Sequence, residues 1–426
     1  MKSFELKKDI LDGKLDDMLV RFYGSDKLLA QRARYLVAID QFSSLYGEER
    51  DVALFSVPGR SELSGNHTDH NLGKVIAASV DLDMIAVASP RSDSVVRLKS
   101  EGFSEDFVDF SAPLVPNEAQ YGRSSALISG VLSGFSKRGY TIGGFDAYTT
   151  SNVPKGSGLS SSAVFENMIG TILNEFYNEG NISLVEISKI SQSAERDFFG
   201  KPCGLMDQLA CALGGVVAID FCNPSEPEID RIDLDLDALG YHLCIVNTGG
   251  NHADLTDDYA AVPSEMKAVA KALGCDVLRA TEEQELMAEL PRLRQMLGDR
   301  AVLRAIHFFA ENARVDTQKK LLLAGDFEGF LSQVLASGRS SFCYLQNVYT
   351  PKNPAEQGIS LALCLAERQL AGIGAWRVHG GGFAGTMQAY VPTDVLEAFC
   401  LQMEAVFGES SCTVLRIRSE GAMKIL

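Results

Sequence analysis

The chain has 426 residues, 46% of them hydrophobic, a formal charge of −17 and a pI near 4.9. That length can bury two sizeable cores, and the acidic balance leaves no broad basic face, which argues against nucleic acid or an anionic membrane as partner. Nine scattered cysteines without a CxxC pair point to reduced thiols, not to a disulfide framework or a structural zinc module.

In chain order, residues 1–50 read as helix, with Leu28, Leu29, Ala33, Leu36 and Phe42 recurring at three-to-four spacing. The charged start MKSFELKKDILDGKLDDML lacks the apolar core of a signal peptide. No run reaches the roughly 18 apolar residues of a membrane span, so a cytoplasmic protein is expected. Asp51–Val57 is a predicted strand ending at Pro58-Gly59, and Val75–Ala88 and Ser94–Leu98 continue as strands. Helices are predicted over Ser124–Phe135, Ala163–Phe176 and Leu184–Phe199. Strand character returns at Gly214–Phe221 and Tyr241–Val246, and helices dominate from Pro263 to Leu370. The end alternates strand (Gly374–Val378, Thr386–Val391), helix (Val395–Phe407) and strand (Cys412–Ile417). This order predicts an α+β protein of two lobes in contact, with a helical extension over 1–50, a first lobe over 51–218 and a second over 219–426.

Four stretches carry chemistry. Gly65-Asn66-His67-Thr68-Asp69-His70-Asn71 holds two of the six histidines beside an aspartate and two asparagines, which fits a metal site, a polar turn or a wall that reads a hydroxylated ligand. Pro154-Lys155-Gly156-Ser157-Gly158-Leu159-Ser160-Ser161-Ser162 runs straight into a predicted helix. Small residues there let the backbone approach an anion, amides at a helix N-terminus point at it, and serine hydroxyls can hold phosphate oxygens or magnesium; the plainer alternative is a serine N-cap. No Walker A pattern occurs. The loop Arg377–Thr386 satisfies G-x-G-x-x-G, yet a strand follows it where a dinucleotide fold needs a helix, so a tight β-turn is the better reading. Finally, Glu195 sits late on a predicted helix, and Asp207 follows a Pro/Gly-broken loop, where it could orient a hydroxyl or simply cap.

Together and in this order, PGRSELSGNHTDHNLGKV (Pro58–Val75), PKGSGLSSSA (Pro154–Ala163), AERDFFGKPCGLMDQ (Ala194–Gln208) and RVHGGGFAGT (Arg377–Thr386) resemble the galactokinases of the GHMP kinase superfamily. The resemblance implies a two-lobed fold, with an N-terminal lobe like ribosomal protein S5 domain 2 and a ferredoxin-like C-terminal lobe. It implies an ATP- and Mg²⁺-dependent sugar 1-kinase, with D-galactose the expected acceptor, acting as monomer or homodimer. By position, Asp207 matches the catalytic aspartate and Arg60 the catalytic arginine. Asn66, His67, Asp69, Gly204 and Tyr259 match sugar-contacting positions. Pro154, Gly156, Ser157, Gly158, Leu159, Ser160, Ser161 and Ser162 match the ATP phosphate cradle, and Ser161 and Glu195 the magnesium ligands.

The chain departs from the pattern mostly around the sugar. The family's glutamate before HTD is Asn66, and an amide replaces an acceptor by an acceptor plus a donor, so a uronic acid is an alternative substrate. The tyrosine after HTD is His70, Asn251 precedes His252 where a basic residue is usual, and His379 and Ala384 replace a threonine and a glycine. Two further alternatives are an inactive sugar sensor on this fold and a metal hydrolase built on His67, Asp69 and His70.

Overall fold

The computed structural model describes the chain except residues 155–157, 251–254 and 384; of Thr256 it describes the backbone alone. Gly156 and Ser157 of the expected phosphate cradle therefore lie outside the described residues, as do Asn251, His252 and Ala384.

The described strands are β1 (Ala53–Ser64), β2 (Lys74–Pro90), β3 (Val95–Ser100), β4 (Glu105–Asp109), β5 (Phe145–Ser151), β6 (Val216–Asp220) and β7 (Glu228–Ile232). They continue with β8 (Tyr241–Asn247), β9 (Ala375–Val378), β10 (Thr386–Pro392), β11 (Cys412–Leu415) and β12 (Met423–Lys424). A first sheet runs β12-β1-β2-β5-β3-β4, with β6 added on β2 and β7 on β6. The long β2 makes this branching work, because Lys74–Ala78 pair with β6 while Met84–Pro90 pair with β5.

Both faces of this sheet are covered, which is why β1 and β2 read as continuous apolar runs and not as alternating ones. Phe55, Val57, Ala86 and Ala88 face a core shared with Phe135, Ile169 and Ile172 of helices Ser124–Lys137 and Ser161–Tyr177. Leu54, Ile85 and Val87 point the other way, onto Leu19, Phe22, Ile39 and Phe42. Those residues belong to helices Asp16–Tyr23 and Leu28–Tyr46, so the first fifty residues form a third layer. A buried cluster pins that layer: Asp83 accepts from Arg34 Nη1 at 2.7 Å, Tyr23 Oη at 2.5 Å and Arg418 Nη1 at 3.1 Å.

The second sheet, β11-β8-β10-β9, is antiparallel and buries one face under helices Gly358–Leu370 and Leu396–Phe407. Helices Thr256–Ala272 and Asp299–Leu323 pack a further core around Val262, Met266, Val302 and Phe308.

The structure differs from the sequence expectations in four places. Beyond the strand read at Gly214–Phe221, the first sheet gains two strands that were not assigned from the sequence: β7, which ends at Ile232, and β12, which pairs with β1. Leu184–Phe199 is a helix to Ser193 followed by a wider π turn, Ala194–Phe198. Helix Thr256–Ala272 starts seven residues before Pro263 and keeps that proline inside. Met206–Leu213, for which no element was assigned from the sequence, is a helix that follows the Pro/Gly-broken loop, with Asp207 in its first turn.

Candidate active site

The catalytic expectation begins with β1. Pairing of β1 with β2 slips between Pro58 and Arg60, since proline cannot donate to the ladder and the bulge re-aims the following residue. Arg60, 5% exposed, donates Nε and Nη2 to Asp207 Oδ1 at 2.8 and 2.6 Å and Nη1 to the Gly158 carbonyl. Its backbone N–H donates to Leu159 O at 3.3 Å. One side chain thus ties β1 to the glycine-rich loop and to helix Met206–Leu213.

Asp207 completes the junction. Its Oδ2 accepts the Ser160 hydroxyl, and Ser160, at φ +62°, is the N-cap residue of helix Ser161–Tyr177. Burial raises the Asp207 pKa, but the Arg60 charge and the Ser160 hydrogen bond outweigh it, so the carboxyl is held below its ordinary value. The side chain stays 28% exposed, so an outside hydroxyl can reach it.

The turn after β1 is fixed by sterics. Gly65 has φ +90°, and a Cβ there would stand 2.3 Å from the Lys74 carbonyl, so only glycine fits. Thr68 Oγ1 donates to Gly65 O at 2.9 Å and Lys74 O at 2.6 Å, closing the loop. Asp69 then opens a short turn whose carboxylate packs on the loop before Asp207: a Cβ on Gly204 would lie 1.8 Å from Asp69 Oδ2. The structure therefore brings the HTD turn and the Arg60–Asp207 pair to one place.

His67 and Tyr259 enclose the late glycine loop. His67 Nε2 lies 3.1 Å from Gly381 O, and Tyr259 Oη donates to Gly382 O at 2.9 Å. Burial and the neighbouring His70 push the His67 pKa down to about 3, so the ring is neutral. A carbonyl only accepts, which places the His67 proton on Nε2 and leaves Nδ1 as the acceptor. The ring centroids of His67 and His70 are 6.0 Å apart, and among the described residues these two and Asp69 form no ligand cluster, which removes the metal-hydrolase arrangement.

Asn66 is placed differently from the expectation that it meets a sugar. It is fully buried, donates to Glu62 Oε1 at 3.1 Å and Gly380 O at 2.7 Å, and accepts from Asn347 at 2.9 Å and Ser341 at 3.2 Å. Both ends of its amide are committed to the protein, because a buried amide without partners costs free energy. Its own carbonyl faces His307 Nε2 at 2.9 Å. Beneath it, Arg377 of β9 is fully buried against Glu62 and reaches Leu63 O at 3.2 Å, a polar seam joining the two sheets.

Glu195 heads a second group. It accepts from Ser162 Oγ at 2.8 Å, Lys201 Nζ at 2.7 Å and Gln208 Nε2 at 2.8 Å. The hydroxyl on Glu195 is thus that of Ser162, not of Ser161, which opens the helix one residue earlier. Glu166 is buried beside it, its Oε1 without a hydrogen-bond partner, and burial followed by the Glu195 charge pushes its pKa well up. Two carboxyls, one of them with an unused oxygen, and a hydroxyl suit a hard divalent cation, and Lys201 presently supplies the positive charge.

Two features were not assigned from sequence. His379 Nε2 is 3.1 Å from Ser61 Oγ and Nδ1 is 3.1 Å from Thr386 Oγ1, so it sits under Gly158 as a neutral wedge between Arg60 and the glycine loop. The glycine pattern around it hid this role. A cavity of about 290 Å³ opens beside Phe198, three residues after Glu195, between Phe107, Val115, Asn117, Gln120 and Ser125. Its floor includes β4, which carried no readable strand pattern.

Residues 122–215 match the family model "GHMP kinases N terminal domain", and residues 40–90 match the "Galactokinase galactose-binding signature". The chain is 31% identical to galactokinase of Streptomyces coelicolor over 384 residues, covering 89% of this chain and 94% of that one. It is 31% identical to galactokinase of Clostridium beijerinckii over 401 residues, covering 90% and 97%. The structure of Lactococcus lactis galactokinase complexed with galactose superposes with a TM-score of 0.78 at 26% identity, covering 92% of this chain and all of that one. Mevalonate kinase, at TM-score 0.61 and 14% identity, shares the fold. The chain belongs to the galactokinase family of the GHMP kinases.

Proposed function

We propose that the protein transfers the γ-phosphoryl group of ATP to the anomeric hydroxyl of D-galactose, giving α-D-galactose 1-phosphate and ADP. The observation that carries this reading is the Arg60–Asp207 pair, set between the glycine-rich loop and the HTD turn. It rests also on the galactokinase relatives and the galactose-bound structure.

The roles are those the family resemblance implies, and the geometry supports them. Asp69, His67 through Nδ1, the Gly204 backbone and Tyr259 read the sugar hydroxyls. Asp207 Oδ2, now holding the Ser160 hydroxyl, accepts the anomeric O–H instead. Because its pKa is low, Asp207 acts as an orienting group that takes the proton as the new P–O bond forms, not as a strong resting base. Arg60 compensates the negative charge between that oxygen and the incoming phosphoryl group. Backbone amides over 158–162 and the N-terminus of helix Ser161–Tyr177 cradle the phosphates. Glu195, with Ser162 and Glu166 beside it, would hold Mg²⁺, which supplies charge neutralisation for the triphosphate. The cavity beside Phe198 has the size and mixed lining for the nucleobase.

The test is an ADP-coupled assay against galactose, galacturonate, N-acetylgalactosamine, fucose and arabinose. Galactose is expected to give the highest kcat/KM. Asn66 has no amide atom to spare for a sugar carboxylate, so a preference for galacturonate would overturn the assignment. Sugar and ATP binding without turnover would favour a sensor.

A further inference from the structure

Three thiols converge on the second sheet. Cys244 lies in β8 and Cys412 in the adjacent β11, where Val414 pairs with Cys244 and Cys412 with Val246. The two cysteines are therefore diagonal neighbours on one face of the sheet. Cys400 comes from helix Leu396–Phe407, which packs over that face. The three Sγ atoms lie within 4.8 Å of one another, with Cys412 and Cys400 at 3.5 Å. Cys244 is buried while Cys400 and Cys412 are partly exposed, so the cluster has an apolar floor and a solvent side.

We propose that Cys244, Cys400 and Cys412 form a binding site for a thiophilic d¹⁰ cation of the Zn²⁺ class. Zinc–thiolate bonds of about 2.3 Å place ligand sulfurs about 3.8–4.0 Å apart, close to the spacing found here. A disulfide needs about 2.05 Å and would use two of the three thiols, leaving the convergence of the third unexplained. Binding exchanges protons for metal: one Zn²⁺ and three thiols give a tris-thiolate complex of net charge −1, and three protons leave to solvent. Water fills the fourth position from the Cys400 side. Soft thiolates select zinc-like ions over Mg²⁺, so this site is chemically separate from the Glu195 group. Bound metal would join β8, β11 and the covering helix at one point.

The experiment uses untagged, full-length, reduced protein stripped with a chelator. Zn²⁺ is titrated by calorimetry in two buffers of different ionisation heat, and Cd²⁺ by the ultraviolet thiolate-to-metal charge-transfer band. The expected result is one equivalent per chain, proton release on binding, and a rise in Tm with Zn²⁺. C400S and C412S should each weaken binding at least tenfold, and the double variant should lose both the charge-transfer band and the Tm shift. Serines at the exposed Cys222, Cys343 and Cys364 should change none of these. Absence of stoichiometric binding, or full binding by the double variant, overturns the proposal. So does a Cys400–Cys412 disulfide, mapped in protein isolated under reducing conditions and free of metal. Sugar phosphorylation is read in parallel on the same double variant and does not depend on the outcome.

Discussion

Arg60 spends two of its donors on the same oxygen of Asp207, Oδ1, and so leaves Oδ2 to an alcohol, at present the Ser160 hydroxyl. The carboxylate thus has one structural oxygen and one chemical oxygen. A sugar hydroxyl arriving at Oδ2 meets an acceptor whose charge is already balanced.

Asp207→Asn keeps the shape and removes the acceptor charge. It is expected to cut kcat by at least about 10³-fold, in the range by which removing a positioned proton acceptor or charge stabiliser slows catalysis. Galactose affinity by calorimetry should change far less, and a kcat within tenfold of the unmodified protein would remove Asp207 from the chemistry.

Ser160→Ala deletes a hydrogen bond that favours the ionised Asp207. The acid limb of the kcat/KM profile should therefore move to higher pH. An unmoved limb would mean that this hydroxyl does not set the carboxyl's pKa.

Arg377→Gln breaks the buried pair with Glu62, and about 3–5 kcal/mol of stability should be lost because the carboxylate is left uncompensated. Burial already raises the Glu62 pKa, with Arg377 and Arg60 opposing it. The double variant Glu62→Gln/Arg377→Gln should recover part of the loss in urea unfolding, and a loss equal to the sum of the two single-variant losses would show that the pair is uncoupled.

His379 is buried and neutral, its pKa lowered to about 3 by burial and by the charges of Arg60 and Arg377. Its folded value lies below the unfolded one near 6.5, so between those values the unfolded chain binds the extra proton and stability falls as the pH falls. The slope is at most about 1.4 kcal/mol per pH unit for this one group. Urea midpoints at pH 7.5 and 5.0 should differ less in His379→Gln than in the parent, and an unchanged difference would place the titration elsewhere.

Removing residues 1–46 should expose Leu54, Ile85 and Val87 and leave Asp83 without Arg34 and Tyr23. The expected outcome is insoluble protein or loss of the cooperative thermal transition. A soluble truncation with the parent Tm would make that layer dispensable.

Much of this was legible in the residues. Gly158 and the serines before Ala163 read as a loop of small residues running into a helix, and the structure has that helix begin at Ser161. Asp207 and Arg60 were found by motif, and the structure shows why they meet, through the slip at Pro58. Asn66 was misread because a sequence records which residue stands beside His67 but not which way its amide faces. That direction is decided by Glu62, Ser341 and Asn347, distant in the chain. Strands β4, β7 and β12 are short or exposed and carry no clean alternation, so they were not read from the sequence. Helix Met206–Leu213 was hidden by the Pro-Cys-Gly stretch before it.

The pairing of β12 with β1 has a consequence for synthesis. Phe55 faces Lys424, and the Ile425 N–H donates to Leu54 O at 2.7 Å, so the first lobe is finished by residues translated after the second. Closing so wide a loop is slow compared with local contacts. Until then a nascent chain carries β1 with a bare hydrogen-bonding edge, a template for pairing with another chain. Folding that follows synthesis from the N-terminus therefore leaves that edge of β1 unpaired until β12 has been made.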